Sequence, residues 1–193
     1  MLLPLTGRRL YYDLTGPENG PVVCITHSLA SDGGSWAEQV PPLLEAGFRV
    51  LRLDMRGHGG SDPVAGDYTM QALADGTVER WFTDAFKPRN PGRWKQIRDT
   101  VAATTPAGYL GCSAAIMNFD FAAQLPSLRM PVLVVCGADD PGTPASENRR
   151  LAGLVPGGRY EEIPGMRHFP NVEAPDAFNP IMIGWLEAQR RAH

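Results

Sequence analysis

The sequence has no basic run longer than a pair such as Arg8-Arg9 or Arg190-Arg191, and its net charge is −3. Holding a phosphate backbone takes clustered cations, so nucleic acid is not expected as a partner. No apolar stretch approaches the roughly 20 residues that cross a membrane, and the first residues lack the basic-then-apolar pattern of a secretory leader. A soluble, cytoplasmic protein with no membrane partner is expected. Cysteine is scarce: Cys24, Cys112 and Cys136 are the three present. That odd, sparse set argues against a disulfide framework and for a reducing compartment. The four histidines and three cysteines follow no HExxH or CxxC spacing, so no metal site is expected. Gly57, Gly59 and Gly60 miss the G-x-G-x-x-G spacing of a dinucleotide loop, and no cofactor is expected.

What is present describes a folded domain. Of 193 residues, 43% are hydrophobic and 20% charged, which suits one buried core with a small insertion and excludes disorder. "LPLTGRRLYYDLTG" reads as a hairpin around Thr6-Gly7. "PVVCITH" (21–27) is continuously apolar, as a strand buried on both faces should be. "SWAEQVPPLLEAGF" (35–48) reads as a helix with a proline irregularity, capped by Ser35 and ended by Gly47. "RVLRLDM" (49–55) is the next strand, which implies a right-handed parallel crossover. Residues 67–86 carry a helical pattern interrupted at Gly76, and "NPGRWKQIRDTVAATT" and "PAGYLGCSAAIMNF" read as two further helices. A buried strand at 130–137, a helix at 146–155, a strand at 159–165 and a C-terminal helix complete the chain. The ends alternate strand and helix and the middle is helical: an open parallel α/β sheet with a helical insertion. In such sheets chemistry collects beyond the carboxyl ends of the strands.

Two strand-end loops stand out. "GADDPGTP" brings Asp139 and Asp140, and "GMRHFPN" brings His168 after the next strand. A carboxylate there can fix the imidazole tautomer and stabilise its protonated form. Read singly, Asp140 is a turn cap and His168 a surface residue; read together, they make an acid–base pair. Asp140 is preferred to Asp139 because Gly137, Asp140 and Pro144 share a G-x-x-D-x-x-x-P spacing. In "THSLASDGGSW" the turn after the strand can aim the Leu29 N–H at a developing oxyanion, with Ser28 and Ala30 shaping the turn. His58, in the glycine-rich "DMRGHGGSD" loop, reads as a structural or surface loop residue.

The segments "VVCITHSLASDGGSW", "RVLRLDMRGHGGSD", "YTMQALADG", "PVLVVCGADDPGTP" and "IPGMRHFPNVEAPDAFN", in this order, resemble the α/β-hydrolase superfamily, with its 3-oxoadipate enol-lactonase and esterase group the nearest in character. The resemblance implies a reduced α/β-hydrolase fold: a mostly parallel sheet of about six strands with a small helical cap. Residues 1–75 and 128–193 would form the core and 76–127 the cap, in one compact domain. It also implies Asp140 as the acid, His168 as the base, and Ser28–Leu29 as part of the oxyanion turn, acting on a small ester or lactone.

One part of that pattern is missing. Asp75-Gly76 runs straight into cap-like sequence, where the family inserts roughly 60–70 residues bearing the G-x-S-x-G nucleophile elbow. Ser113 in "GYLGCSAAI" has small neighbours but lacks the strand–turn–helix context of an elbow. It is the first candidate nucleophile, with Ser28, Ser31, Ser61, Cys112 and water as alternatives. Trp36, Trp81, Phe82, Trp94, Tyr109 and Met117 are expected to bound the pocket, or else to belong to the core. Lost strands would leave apolar edges, so a homodimer or higher oligomer is expected. The competing reading is a catalytically degenerate binding or interaction module.

Overall fold

A computed structural model describes residues 1–62, 70–117 and 119–192. The chain forms two compact units, Met1–Val78 with Asn90–Asn118 and Glu79–Arg89 with Phe119–His193.

The first unit is built on a four-stranded sheet. Strands β1 (Leu2–Leu5) and β2 (Arg8–Thr15) form the expected hairpin, Leu5 opposite Arg8 across Thr6-Gly7. β3 (Val22–Ile25), α1 (Val40–Glu45) and β4 (Arg49–Leu53) form the expected parallel crossover, and the sheet order is β1-β2-β4-β3. β4 is central, and Val50 on it is fully buried, as is Leu43 of α1.

Three local expectations need correction. The segment 35–48 is not one helix. A 3-10 turn spans Gly33–Trp36, and α1 starts only at Val40, where Pro41 and Pro42 occupy a first turn that needs no N–H donors. The 3-10 turn is capped not by Ser35 but by Asp32, whose Oδ1 accepts the Gly34 N–H at 2.8 Å, and α1 has no side-chain cap. Gly47 does follow α1 at φ +80°, a conformation that favours glycine. β3 is not buried on both faces: Val22 is 57% exposed and Cys24 is exposed, because β3 is an edge strand whose one partner among the described residues is β4. α2 (Gln71–Trp81) runs unbroken through Gly76, whose cost of about 1 kcal/mol is offset by burial of Met70, Ala74 and Val78, spaced four apart on one face. Residues 67–69 of the expected helix lie outside the described residues.

α4 (Pro91–Ala103) buries Trp94, Ile97 and Val101 at three- and four-residue spacing. The Arg93–Glu38 pair at 2.7 Å and the Arg98–Asp75 pair at 2.9 Å tie it to earlier segments of the same unit. α5 (Pro106–Met117) follows, and the extended backbone of Thr104 separates the two helices.

The second unit contains α3 (Phe86–Arg89), a 3-10 segment at Ala122–Ser127, β5 (Leu133–Gly137), α6 (Ala145–Leu154), β6 (Arg159–Ile163), α7 (Pro170–Glu173) and α8 (Pro175–Ala192). β5 and β6 pair in parallel through the α6 crossover. Cys136, Ala152, Val155, Ile163, Phe169, Val172 and Phe178 are buried, and Phe82 stacks on Phe86 with centroids 4.1 Å apart.

The described residues form six strands, the expected number. They lie in one four-stranded and one two-stranded ladder set, with two parallel and two antiparallel pairings rather than a mostly parallel sheet. The reason is connectivity. Parallel pairing needs a crossover, and the described chain makes two of them; the two-residue Thr6-Gly7 link allows only antiparallel pairing. Among the described residues no helix is long and apolar enough to cross a membrane, and no three His, Cys, Asp or Glu side chains group as metal ligands.

Candidate active site

In the second unit β5 ends at Gly137 and β6 at Ile163, and the loops that follow meet. The Ala138 N–H donates to Ile163 O at 3.0 Å and the Asp139 N–H to Met166 O at 2.9 Å. Gly137 is required there: a Cβ on it would lie 2.1 Å from Arg167 O and 2.3 Å from Met166 O. This close crossing brings His168 to Asp140, with Nδ1 2.7 Å from Oδ2.

Asp140 is both the turn cap and the histidine's partner. Oδ1 accepts the N–H groups of Gly142 at 2.8 Å and Thr143 at 3.2 Å, and Oδ2 accepts the Thr143 hydroxyl as well as His168. Burial by itself raises the pKa of this carboxyl. The hydrogen bonds from Thr143, His168 and Gly142 outweigh it and hold the group ionised below its ordinary range. Asp139, the rival acid, is exposed. An ionised Asp140 leaves His168 Nδ1 as the donor and Nε2 as the acceptor. His168 is one-quarter exposed, and its Nε2 has no partner among the described residues. Trp81 stacks beside the ring at 6.1 Å and accepts the Phe169 N–H on its backbone oxygen at 3.2 Å. Thr83 donates through both its N–H and its hydroxyl to Glu173, which anchors the segment after Trp81 within this unit. Thr143 and Glu173 escaped the sequence reading; a threonine three residues after Asp140 was the available signal for the first.

The other candidates lie in the first unit. Ser28 to Ser31 form a tight turn closed by the Ser31 N–H on Ser28 O at 3.1 Å. Ala30 sits in its second central position at φ +61°, alone among described non-glycine residues in having a positive φ. The Leu29 N–H has no partner among the described residues. The turn is held from below by loop 54–61. His27 Nε2 accepts the Met55 N–H at 2.9 Å, His58 Nε2 accepts the Ala30 N–H at 3.1 Å, and Asp54 accepts the N–H groups of Gly33 and Gly60. His58 is 1% exposed, which places it as a structural residue of the interior.

The serines differ sharply. Ser61 is buried, donates to Asp54 O and accepts the Tyr11 N–H. Ser31 is buried and bonds Asp32 O. Ser113 lies inside α5, half-buried, with no hydroxyl partner among the described residues. It belongs to regular helix, so it is not an elbow. A pocket of about 220 Å³ in the same unit is lined by Arg56, Ala107, Gly108, Gly111 and Cys112. None of the six residues expected to bound the pocket lines this one: Phe82 and Trp94 are buried core, and Met117 is 82% exposed.

A profile of the alpha/beta hydrolase fold matches residues 21–92 and, separately, 83–175. The chain is 22% identical over 260 residues to a 3-oxoadipate enol-lactonase of Acinetobacter baylyi, covering 97% of each. That alignment is 67 positions longer than the 193-residue chain. A pimeloyl-[acyl-carrier protein] methyl ester esterase of Methylococcus capsulatus is 26% identical over 170 residues, covering 86% of this chain and 57% of that protein. Among solved structures, an enol-lactonase from Burkholderia xenovorans superposes with a TM-score of 0.90 at 26% identity, over 97% of this chain and 100% of that one. These matches, and the strand–helix–strand units that carry Asp140, His168 and the Leu29 turn, place the chain in the alpha/beta hydrolase fold family, as a hydrolase.

Proposed function

We propose that this hydrolase cleaves a small carboxylic ester or lactone. The 2.7 Å bond from His168 Nδ1 to Asp140, with Nε2 unpartnered among the described residues, is the observation that carries this reading. In the proposed mechanism His168 Nε2 takes the nucleophile's proton as bond formation to the carbonyl carbon begins. Asp140 stabilises the resulting imidazolium, and His168 then protonates the leaving alkoxide. The unpartnered Leu29 N–H, in the turn that Ser28 opens, stabilises the oxyanion. Ser113 is the serine assigned as nucleophile, because its hydroxyl is half-exposed and unpaired while those of Ser31 and Ser61 are buried and bonded. Ser28, Cys112 and a water on His168 are the alternatives. The lactonase and esterase relatives support the substrate class.

The reading includes loss of the elbow-bearing segment, with residues 76–127 as cap and the flanking segments as core. The split family match and the 67 surplus alignment positions support that loss. That β3 is an edge strand among the described residues supports pairing with a second copy, which sedimentation measures directly. The missing G-x-S-x-G favours a second reading, a binding module without turnover. A short-chain aryl ester assay with a serine-directed phosphonate separates them: turnover with an adduct on Ser113 is expected. An adduct elsewhere reassigns the nucleophile, and turnover no greater than that of His168→Ala leaves the binding module.

A further inference from the structure

Ala30 is an alanine in a conformation that favours glycine. Nothing in its own side chain holds it at φ +61°. It is held by the turn's own Ser31 N–H to Ser28 O bond and by its N–H, donated at 3.1 Å to Nε2 of His58, the one of these contacts that comes from outside the turn. His58 Nδ1 faces Arg56 O at 3.0 Å, so the ring is the neutral tautomer with hydrogen on Nδ1 and both nitrogens engaged. Neutrality is essential to this contact, because a protonated Nε2 carries a hydrogen and cannot accept the Ala30 N–H.

Resting on the oxyanion role given above to the Leu29 turn, we propose that His58 is a positioning residue that latches this turn through the Ala30 N–H, and that acid releases the latch. Once released, the peptide joining Leu29 and Ala30 turns over, Ala30 relaxes to negative φ, and the neighbouring Leu29 N–H loses its fixed direction. The groups facing His58 are His27, 5.4 Å away ring to ring, and the carboxylates of Asp54 and Asp32; Arg56 contributes its carbonyl. Burial opposes a proton on His58 most strongly and His27 opposes it too, against the Arg56 carbonyl and the two carboxylates. The balance lowers the pKa below its ordinary 6.5, so the latch stays closed at neutral pH and opens only at a pH below that value.

The test compares His58→Gln, whose side-chain oxygen can accept in place of Nε2, with His58→Leu, which cannot. On a short-chain aryl ester, His58→Leu should lose about 100-fold in kcat, the range seen for a lost oxyanion donor, with KM changed by less than about 3-fold. His58→Gln should recover most of the kcat and show a shallower acid limb than the wild type. Adding Ala30→Gly to His58→Leu should also restore kcat, since glycine adopts positive φ without a latch. Amide exchange at Ala30, measured by NMR, gives a readout that needs no turnover. Protection should fall at least about 10-fold beyond the chemical rate as pH is lowered from 7.5 to well below 6.5 in the wild type, and should stay level in His58→Gln. Equal Ala30 protection in His58→Leu and wild type overturns the latch. Intact protection changes with no esterase activity in any variant would retain the latch and remove the oxyanion reading on which its catalytic effect rests.

Discussion

His58 and His168 show how differently one residue type is used in the two units. His58 is 1% exposed and spends both ring nitrogens on backbone partners. His168 is one-quarter exposed and spends one nitrogen on Asp140, with Nε2 unpartnered among the described residues. A saturated imidazole can only hold structure; one with a vacant, tautomer-defined nitrogen can move protons. The same contrast separates the serines: Ser61 is saturated, whereas Ser113 is not.

The strongest way to break the comparison is to remove the open histidine. His168→Ala should lower kcat for a short aryl ester by about 10³-fold. Asp140→Asn should cost about 10²-fold or more by admitting the wrong tautomer, with the fold intact by circular dichroism. If His168→Ala keeps full activity, His168 moves no proton in the reaction and the two histidines do not differ in this way.

A smaller effect should come from the crossing that brings the pair together. Gly137→Ala places a methyl within 2.3 Å of two backbone oxygens, and overpacking of this kind costs about 1–3 kcal/mol. Urea titration should show that loss, and kcat should fall about 10-fold as His168 is displaced.

Stability against pH gives the mildest readout. The folded protein resists a proton on His58, so the unfolded chain binds more protons just below pH 6.5; stability is therefore full above that pH and declines as pH falls through it. Asp140 has a lowered pKa, so its contribution is present above 3.8 and is lost as pH falls further, through its folded value. Two steps should appear in urea midpoints, one setting in as pH falls below 6.5 and one as it falls below 3.8. His58→Gln should remove the first, and Asp140→Asn the second.

Much of the architecture was legible in local pattern. The Thr6-Gly7 hairpin, the β3–α1–β4 crossover and the β5–α6–β6 unit follow from turn residues and apolar runs a few residues long. The pairing of Asp140 with His168 was legible for the same reason, since both follow predicted strands. The exposure of Val22 was not: an apolar strand looks the same whether one neighbour covers it or two. Nor was the continuity of α2 through Gly76, where buried residues on one face override a weak local preference.

Short-range chemistry in the sequence by itself determined the strands, the helices and the residues able to transfer protons, because capping, periodicity and turn geometry act over a few bonds. Only the tertiary structure decided that the Leu29 N–H is left without a partner among the described residues, that β3 is an edge strand with Val22 exposed, and that His58 holds Ala30 from 28 residues away. Those outcomes depend on which backbone donors are left unpaired once the loops are folded together, and no single segment carries that information.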